Sequence, residues 1–321
     1  MPRSRQILAA ALAAAGLAAA ASPASAALVY VKDADAQRRP ASVWIAADDG
    51  SGGRELVKGT FPQISADAKT VLHFNADGSD LLITSAEGGA PRALVEDAGE
   101  IESPRFSPDG SLVAAVVDRQ LRVYETATGR MGVVARGDLG AISFSPDGQR
   151  IAYSVDRGGA SDVHTVSVLG GDGDRLTTNG RSLLPVWGPS RIAFVRRKST
   201  GAYDIWTMTA EGRRTRRVTK TRVPSGASGL APVEWSADGR RLAAQYVAGE
   251  TRIGFTVNPF SGKTRALRRK VAFDLSADGA AVLTQSGGAK PEGRHNVYSA
   301  PYGGGASKLL VRNASFPDWS R

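Results

Sequence analysis

One short motif returns along the whole chain and constrains the fold more than any other feature. It is clearest at 104–110 (PRFSPDG), and related copies follow at 143–148 (SFSPDG), 234–239 (EWSADG) and 274–279 (DLSADG). Degenerate copies lie at 63–68 (QISADA), 186–189 (VWGP) and 317–321 (PDWSR). The seven copies lie 38 to 48 residues apart. A period near forty is typical of a repeated supersecondary unit such as a propeller blade.

Each copy reads as the end of one strand followed by a tight turn. An apolar or aromatic residue, which we name the anchor, ends the strand, and Pro, Asp and Gly then favour a turn with a positive φ. The anchors are Ile64, Phe106, Phe144, Trp187, Trp235, Leu275 and Trp319. Short apolar runs after each turn, such as 112–117 and 204–208, indicate further strands. Four strands per period predict an all-β fold, a seven-bladed β-propeller of four-stranded antiparallel blades.

The two ends of the chain predict how such a ring closes. Residues 28–31 read as a second strand without a first, and the chain stops on a first strand that ends at Trp319. If 316–320 pairs with 28–31, each partial unit completes the other. We therefore expect the ring to be closed by pairing of the N- and C-terminal strands, which leaves no exposed sheet edge between the ends.

The first 26 residues read as a targeting segment. Arg3 and Arg5 precede an apolar run at 7–20, and Ala24-Ser25-Ala26 offers a small-residue cleavage site. This pattern is typical of a secretory signal peptide, and the run is too short to cross a bilayer. We expect 1–26 to be removed near Ala26 and 27–321 to form a single exported propeller, periplasmic or extracellular, without a transmembrane segment. The chain has no Cys, which excludes disulfides and thiol chemistry.

On these repeats the chain resembles the TolB-like propeller family, whose unit joins a Pro-x-aromatic-Ser-Pro-Asp-Gly turn to an apolar strand. The resemblance covers essentially all of 27–321 and implies the propeller fold. It implies no single function, because binding scaffolds, enzymes and peptidase gating domains share such blades. TolB itself is known for six blades behind an N-terminal α/β domain, whereas this chain counts seven blades and no such domain.

No enzyme motif is present. The sequence lacks a G-x-S-x-G elbow, an H-E-x-x-H helix and a G-x-x-x-x-G-K-[ST] loop, so we predict a noncatalytic protein without cofactors. Some seven-bladed relatives are polysaccharide lyases, and the resemblance would supply these with a metal held by several histidines. The three histidines here, His73, His164 and His295, fall on a second strand, on a third strand two blades away and in a loop. We interpret them as packing or surface residues and predict no metal site.

Positive charge is concentrated in one third of the chain. Residues 181–270 contain 19 Lys or Arg and 5 Asp or Glu, including Arg213, Arg214, Arg216, Arg217 and Arg222. One interpretation is a charged outer rim that prevents edge-to-edge aggregation. The other is a binding surface for an acidic envelope glycan, phosphate or acidic protein. Nucleic acid is disfavoured because no aromatic residue is interleaved to stack bases.

A second candidate site precedes the anchors. Glu234, Asp274 and Asp318 immediately precede the anchors of three successive predicted blades, so their carboxylates could approach one another near the axis. Buried charges must be paired or bind a cation. Either Arg105, backbone amides of neighbouring blades and channel water satisfy them, or they form a site for a hard cation or an amine.

The longest predicted loops share one face, which we name the loop face and take as the default binding surface. Arg136, Arg181 and Arg222 lie around its rim, with Arg312. The sequence therefore favours an exported, monomeric, noncatalytic binding or scaffolding propeller that recognises a protein or an acidic envelope glycan through this face. The alternative is a propeller lyase or hydrolase that acts on acidic polysaccharide at the axial funnel.

Overall fold

The structure, a computed structural model, describes residues 27–32, 41–220, 227–248, 251–268, 270–286 and 295–320. The predicted signal peptide at 1–26 and Arg222 lie outside these residues. Regular structure in the described ranges consists of strands, β1 to β28 in chain order. None of these residues belongs to a helix that could span a membrane.

The described strands form antiparallel sheets, which we name A to F in chain order. Sheet A has the order β28 (Ser315–Trp319), β1 (Ala27–Lys32), β2 (Ser42–Ala47) and β3 (Arg54–Lys58). Sheet B contains β4 (Thr60–Ile64), β5 (Thr70–Phe74), β6 (Leu81–Ser85) and β7 (Arg92–Val95). Sheet C contains β8 (Ile101–Phe106), β9 (Leu112–Val117), β10 (Gln120–Glu125) and β11 (Met131–Arg136). Sheet D contains β12 (Asp138–Phe144), β13 (Arg150–Arg157), β14 (Ala160–Ser167) and β15 (Asp174–Arg175).

Sheet E has two four-stranded halves. Its first half contains β16 (Ser182–Trp187), β17 (Ile192–Arg197), β18 (Tyr203–Met208) and β19 (Arg216–Arg217), and its second half contains β20 (Ala227–Trp235), β21 (Leu242–Ala248), β22 (Thr251–Val257) and β23 (Thr264–Ala266). One parallel residue pair, Tyr203 with Gly229, joins the halves. Sheet F contains β24 (Lys270–Leu275), β25 (Ala281–Ser286), β26 (Asn296–Pro301) and β27 (Lys308–Arg312). Four-stranded antiparallel units of this kind are consistent with a propeller.

The strand β28 near the C-terminus pairs with β1, the first strand of the described residues. In sheet A, Leu28 pairs with Trp319 and Val29 with Asp318, as the truncated repeats predict. Successive sheets pack through apolar clusters, and such a cluster also joins sheets F and A, where Leu283 of β25 packs with Leu28 and Trp319. The first strands of the units, which we name the inner strands (β28, β4, β8, β12, β16, β20 and β24), contact one another in that succession, and β24 contacts β28.

The repeated turn is held by the residues that define the motif. The Ser107 hydroxyl donates to the Asp109 carboxylate (2.5 Å) and accepts from the Leu112 N–H (2.9 Å), while Gly110 has φ +72°. Equivalent Ser–Asp pairs occur at 65/67, 145/147, 236/238 and 276/278. The hydroxyl hydrogen bond lowers the pKa of Asp147, Asp238 and Asp278. These turns lie at the ends of the inner strands, on the face opposite the loop face, which we name the turn face.

Candidate functional site

The inner strands surround a central cavity of about 990 Å³. Its lining comes from every inner strand and from the turns that follow them. Most of the lining is apolar, with prolines, alanines and the anchors prominent, and the charged residues in it are Arg105, Glu234 and Asp318. Two of the three predicted carboxylates therefore line the cavity. The third, Asp274, has no exposed surface.

The carboxylates before the anchors act as latches between inner strands. Oδ2 of Asp318 accepts a hydrogen bond from the Ile64 N–H in the next sheet (2.9 Å). Oδ2 of Asp274 accepts one from the Trp319 N–H (3.2 Å), and its Oδ1 accepts one from the Leu275 N–H (2.6 Å). Each of these two side chains thus satisfies a backbone donor of a neighbouring inner strand, the first of the two arrangements that the sequence left open.

Ser143 occupies the same position in sheet D and does the same with a hydroxyl, because its Oγ accepts the Trp187 N–H of sheet E (2.9 Å). Gln63 differs in that its side-chain amide donates to the Pro104 carbonyl of the next sheet (2.7 Å). The residue before the anchor therefore contacts a neighbouring inner strand in four of the seven copies. In these four copies the contact between strands accounts for a polar residue without a ligand.

Glu234 and Arg105 bond locally. Oε1 of Glu234 accepts from the Trp235 N–H (3.1 Å), and Nη1 of Arg105 donates to the Pro104 carbonyl (3.0 Å). Over the described part of the chain, no group of three or more His, Cys, Asp or Glu is placed to hold a metal ion. The geometry thus does not bring Glu234, Asp274 and Asp318 together as the cation site that the sequence offered as one interpretation.

Three phenylalanines line one side of the cavity, and we name Phe61, Phe273 and Phe316 the aromatic arc. The rings of Phe61 and Phe316 have centroids 4.4 Å apart, and those of Phe273 and Phe316 are 6.1 Å apart and nearly perpendicular. Phe61 is 52% exposed although it touches two other aromatic rings. The arc presents an aromatic surface to whatever enters the cavity from the loop face.

Phe61 and Phe316 hold a backbone conformation that bulky residues rarely adopt. Their φ angles are +47° and +48°, and the same region is occupied by Ser103 (+51°) and Leu184 (+52°). All four residues lie three positions before an anchor, precede a proline and sit at a β-bulge of the inner strand. The sequence analysis missed the arc. A sequence pattern could have revealed it, because four anchors are preceded, three positions earlier, by a residue that is followed by proline. In two of these four copies that residue is phenylalanine.

Two of the predicted binding arginines are structural. Arg217 forms an ion pair with buried Asp204 (2.5 Å), which Lys198 also contacts (3.0 Å). Arg216 reaches from β19 to the next half of sheet E, where Nη1 donates to the Phe260 carbonyl (2.8 Å) and Nη2 to the Pro259 carbonyl.

The contact that Arg216 makes recurs elsewhere. Arg54 of β3 donates to the Ala86 carbonyl in sheet B, and Arg92 of β7 donates to the Thr126 carbonyl in sheet C. Each of these arginines begins a fourth strand and holds the third turn of the following sheet. Part of the basic rim therefore joins neighbouring sheets.

The other predicted basic residues lie apart from one another. Arg213 and Arg214 are exposed in the turn before β19, on the turn face. Arg136 and Arg181 are exposed on the loop face, where the backbone of Gly137 donates to the Arg119 carbonyl and that of Ser161 to the Gly180 carbonyl. The structure therefore does not bring the predicted basic residues into one site.

The histidines are packed in separate sheets. His73 is fully buried, with Nδ1 3.0 Å from the Phe74 carbonyl and Nε2 2.9 Å from the Thr84 hydroxyl, and burial lowers its pKa. Burial, with Arg157 and Arg175 nearby, also lowers the pKa of His164. His295 is buried with Nδ1 2.8 Å from the Ser286 carbonyl. None of the three lines the central cavity.

Comparison with known proteins identifies the fold. The family model of the TolB beta propeller domain matches residues 17–232. No curated protein matches the chain in sequence.

Solved structures of the same fold include TolB from Acinetobacter baumannii, which is 15% identical with a TM-score of 0.57 and covers 92% of this chain and 83% of that one. An oligogalacturonate lyase in complex with manganese is 19% identical with a TM-score of 0.60, over 78% of this chain and 76% of the lyase. A prolyl endopeptidase is 16% identical with a TM-score of 0.67, and the match spans 91% of this chain but 49% of the peptidase.

Proposed function

The chain belongs to the TolB beta-propeller family, and from that premise we propose that it is an exported, monomeric, noncatalytic propeller that holds a segment of a partner protein in its central cavity. In this proposal each half of sheet E is one blade, so the molecule is a ring of seven blades closed in sheet A. The pairing of β28 with β1 and the apolar cluster between sheets F and A support closure. Export rests on the signal-peptide pattern at 1–26.

The aromatic arc is the observation that carries the proposed binding role. A bulky residue with φ near +50° costs of order 1–3 kcal/mol relative to ordinary backbone, and such strain persists where the surroundings impose it, often at ligand sites. Glycine would adopt this φ without strain, yet Phe61 and Phe316 place large rings there, next to each other and against the cavity. An aromatic surface of this kind suits the apolar side chains of a protein segment.

The charges of the cavity favour a protein over an acidic glycan as its ligand. Arg105 supplies the positive charge of the lining, whereas Glu234 and Asp318 supply two carboxylates that would repel a polyanion. An acidic polysaccharide would require several cations along the cavity wall. The exposed Arg136 and Arg181 of the loop face remain as contacts for acidic groups of the partner outside the cavity.

The second candidate is a lyase or hydrolase that acts on acidic polysaccharide in the same cavity. The fold it shares with an oligogalacturonate lyase favours this candidate. The titratable side chains of the lining are Arg105, Glu234 and Asp318, and Asp318 already accepts a backbone hydrogen bond. Turnover of oligogalacturonate by the exported protein with manganese, lost in Glu234→Gln, would favour this candidate over the binding role.

The test compares glycine variants at positions with the same backbone conformation. Phe61→Gly and Phe316→Gly remove the rings and also the unfavourable φ, whereas Ser103→Gly relieves the same φ (+51°) without removing a ring. The exported protein is immobilised, and the partner that it captures from an envelope extract is identified by mass spectrometry and titrated. We expect Phe61→Gly and Phe316→Gly to remain folded and to lose capture, and Ser103→Gly to retain capture. Equal capture by all three variants would contradict the proposal.

A further inference from the structure

The turn that connects β22 to β23 presents an exposed phenylalanine on the turn face. This segment, 258–263 (NPFSGK), we name the Phe260 turn. Phe260 is 59% exposed, the largest exposure among the large apolar side chains of the described residues. Unlike Phe61, it makes no aromatic ring contact with the described residues and does not line the central cavity. Nothing in the fold of the turn requires an aromatic side chain at this position.

The backbone of the Phe260 turn is unusually well satisfied. Oδ1 of Asn258 accepts the N–H groups of Phe260 and Ser261 (2.9 Å each), and the Asn258 carbonyl accepts the Gly262 N–H (2.8 Å). Arg216 donates to the carbonyls of Pro259 and Phe260 from the other half of the sheet. Burying an unpaired backbone group in an apolar medium is costly, so a turn whose groups are already paired can enter such a medium at little cost.

The turn is also held in place by close packing. Gly262 has φ +73°, and a Cβ there would lie 2.2 Å from the Val218 carbonyl oxygen of the neighbouring half of sheet E. Together with the two hydrogen bonds from Arg216, this contact fixes the turn against β19 and against Val218, which directly follows β19. Phe260 is therefore presented on a rigid support, and little conformational entropy is lost when it is buried by a ligand surface.

The surroundings of Phe260 on the turn face are basic. The Phe260 turn and the turn 209–215, which leads into the strand that contacts it, carry three basic residues and one acidic one. The basic residues are Arg213, Arg214 and Lys263, and the acidic one is Glu211. Arg213 and Arg214 directly precede the strand from which Arg216 contacts the Phe260 carbonyl.

From this combination we propose that the turn face of sheet E docks on an anionic lipid bilayer, with Phe260 inserted among the acyl chains near the headgroups and Arg213, Arg214 and Lys263 at the level of the lipid phosphates. An exposed apolar side chain surrounded by Lys and Arg is the pattern of interfacial membrane binding. The exposed Phe260 favours a bilayer over a soluble polyanion, because a polyanion would need the charges but not the phenylalanine.

The same face supplies a matched control. Leu169 is 46% exposed in the equivalent turn of sheet D, but Asp172 and Asp174 follow it, and the nearby Arg150 is paired with Asp174 (2.5 Å). The turn of Leu169 carries Asp172 and Asp174, whereas the Phe260 turn carries Lys263 and no acidic residue, so an anionic surface attracts the Leu169 turn less. The docking proposal therefore predicts contact with lipid at Phe260 and none at Leu169.

The absence of Cys in the sequence makes a direct test simple, because one introduced Cys is the only labelling site. Phe260→Cys, Ser261→Cys and Leu169→Cys, each in the full chain, are labelled with an environment-sensitive fluorophore and mixed with vesicles of phosphatidylcholine, with or without phosphatidylglycerol. We expect a blue shift at 260 and 261 that requires phosphatidylglycerol and is reversed by salt, and no shift at 169. The apolar residues 7–20 are present in all three labelled proteins. Any binding of these residues to the vesicles therefore affects the three labels equally.

Charge variants test the electrostatic part by vesicle co-sedimentation. Each basic residue near an anionic bilayer contributes roughly a fivefold change in partitioning, so Arg213→Gln with Arg214→Gln should weaken binding by about 30-fold. Arg130→Gln, an exposed position of sheet C outside the Phe260 turn, should leave binding unchanged. Equal shifts at 260 and 169, no shift at 260, or binding to heparin resin without binding to the vesicles would each overturn the proposal, the last in favour of a soluble polyanion.

Discussion

Replacing Asp274 by alanine is expected to weaken the contact between sheet F and the C-terminal strand. The side chain has no exposed surface, and its two oxygens accept the N–H groups of Leu275 (2.6 Å) and Trp319 (3.2 Å). The Trp319 N–H belongs to β28, which pairs with β1. One carboxylate therefore connects β24 to the strand that pairs with β1.

The expected size of the effect follows from the donors left without an acceptor. A buried N–H that loses its partner costs about 1–3 kcal/mol, so two of them give about 2–6 kcal/mol for Asp274→Ala. For a domain of more than 150 residues this lowers Tm by roughly 2–4 °C per kcal/mol, or about 4–24 °C in total. Asp274→Asn retains one acceptor oxygen but turns an amide donor toward the second N–H, so its Tm should lie between those of Asp274→Ala and the parent.

Thermal denaturation followed by circular dichroism measures these shifts, and Asp172→Ala is the control. Asp172 is exposed in the turn after β14, so its removal should change the free energy of unfolding by less than about 0.5 kcal/mol. If Asp274→Ala melts within about 1 °C of the parent, the latch contributes nothing and the reasoning is wrong. If calcium raises the Tm of the parent and EDTA reverses the gain, a cation rather than the two amides accounts for the carboxylate.

Three further predictions concern the fold. Deletion of 315–321 removes β28 from sheet A and exposes the apolar cluster with Leu283, so we expect a large loss of Tm or an insoluble product, and unchanged melting would contradict closure by the two ends. Because the hydrogen bonds of the repeated turns lower the pKa of Asp147, Asp238 and Asp278, their contribution to stability is complete above the unfolded pKa of about 3.9 and is lost as the pH falls through the folded values. An acid titration of Tm should therefore be shallower in Asp147→Asn than in the parent. Gly188→Ala places a Cβ 2.6 Å from the Trp235 ring and should cost about 1–3 kcal/mol in urea denaturation, whereas Gly303→Ala, with open space around it, should cost little.

The strands and turns could be predicted from the sequence because their determinants are local. A Ser-Pro-Asp-Gly turn forms its hydrogen bonds within six residues, and the apolar runs on either side define the strands without reference to the rest of the chain. The pairing of the two chain ends was also predictable, since two incomplete repeats complete one another. The degenerate copy at 186–189 has a tertiary explanation instead, because Gly188 leaves room for the indole of Trp235 from the other half of sheet E.

The partners of the charged residues could not be predicted, because they lie on other sheets. Arg216 and Arg217 look alike in the sequence, yet one holds a turn of the next half-sheet and the other pairs with Asp204 of its own half. Successive side chains of β19 point to opposite faces of the sheet, so the two arginines have different partners. The register of β19 on β18 decides which arginine points to which face. The aromatic arc was missed for the same reason, since Phe61 and Phe316 are 255 residues apart and meet only when sheets A and B are adjacent.

The two proposed surfaces lie toward opposite faces of the molecule, which bears on how they act together. Phe61 and Phe316 are the second residues of β4 and β28 and so lie toward the loop face, whereas the Phe260 turn belongs to the turn face. A bilayer that contacts Phe260 therefore leaves the aromatic arc open to a partner on the far side. Substitutions at distant, independent sites are additive, so Phe260→Ala should reduce vesicle binding without changing partner capture, and Phe61→Gly should do the reverse. Loss of both properties in either single variant would mean that one surface serves both.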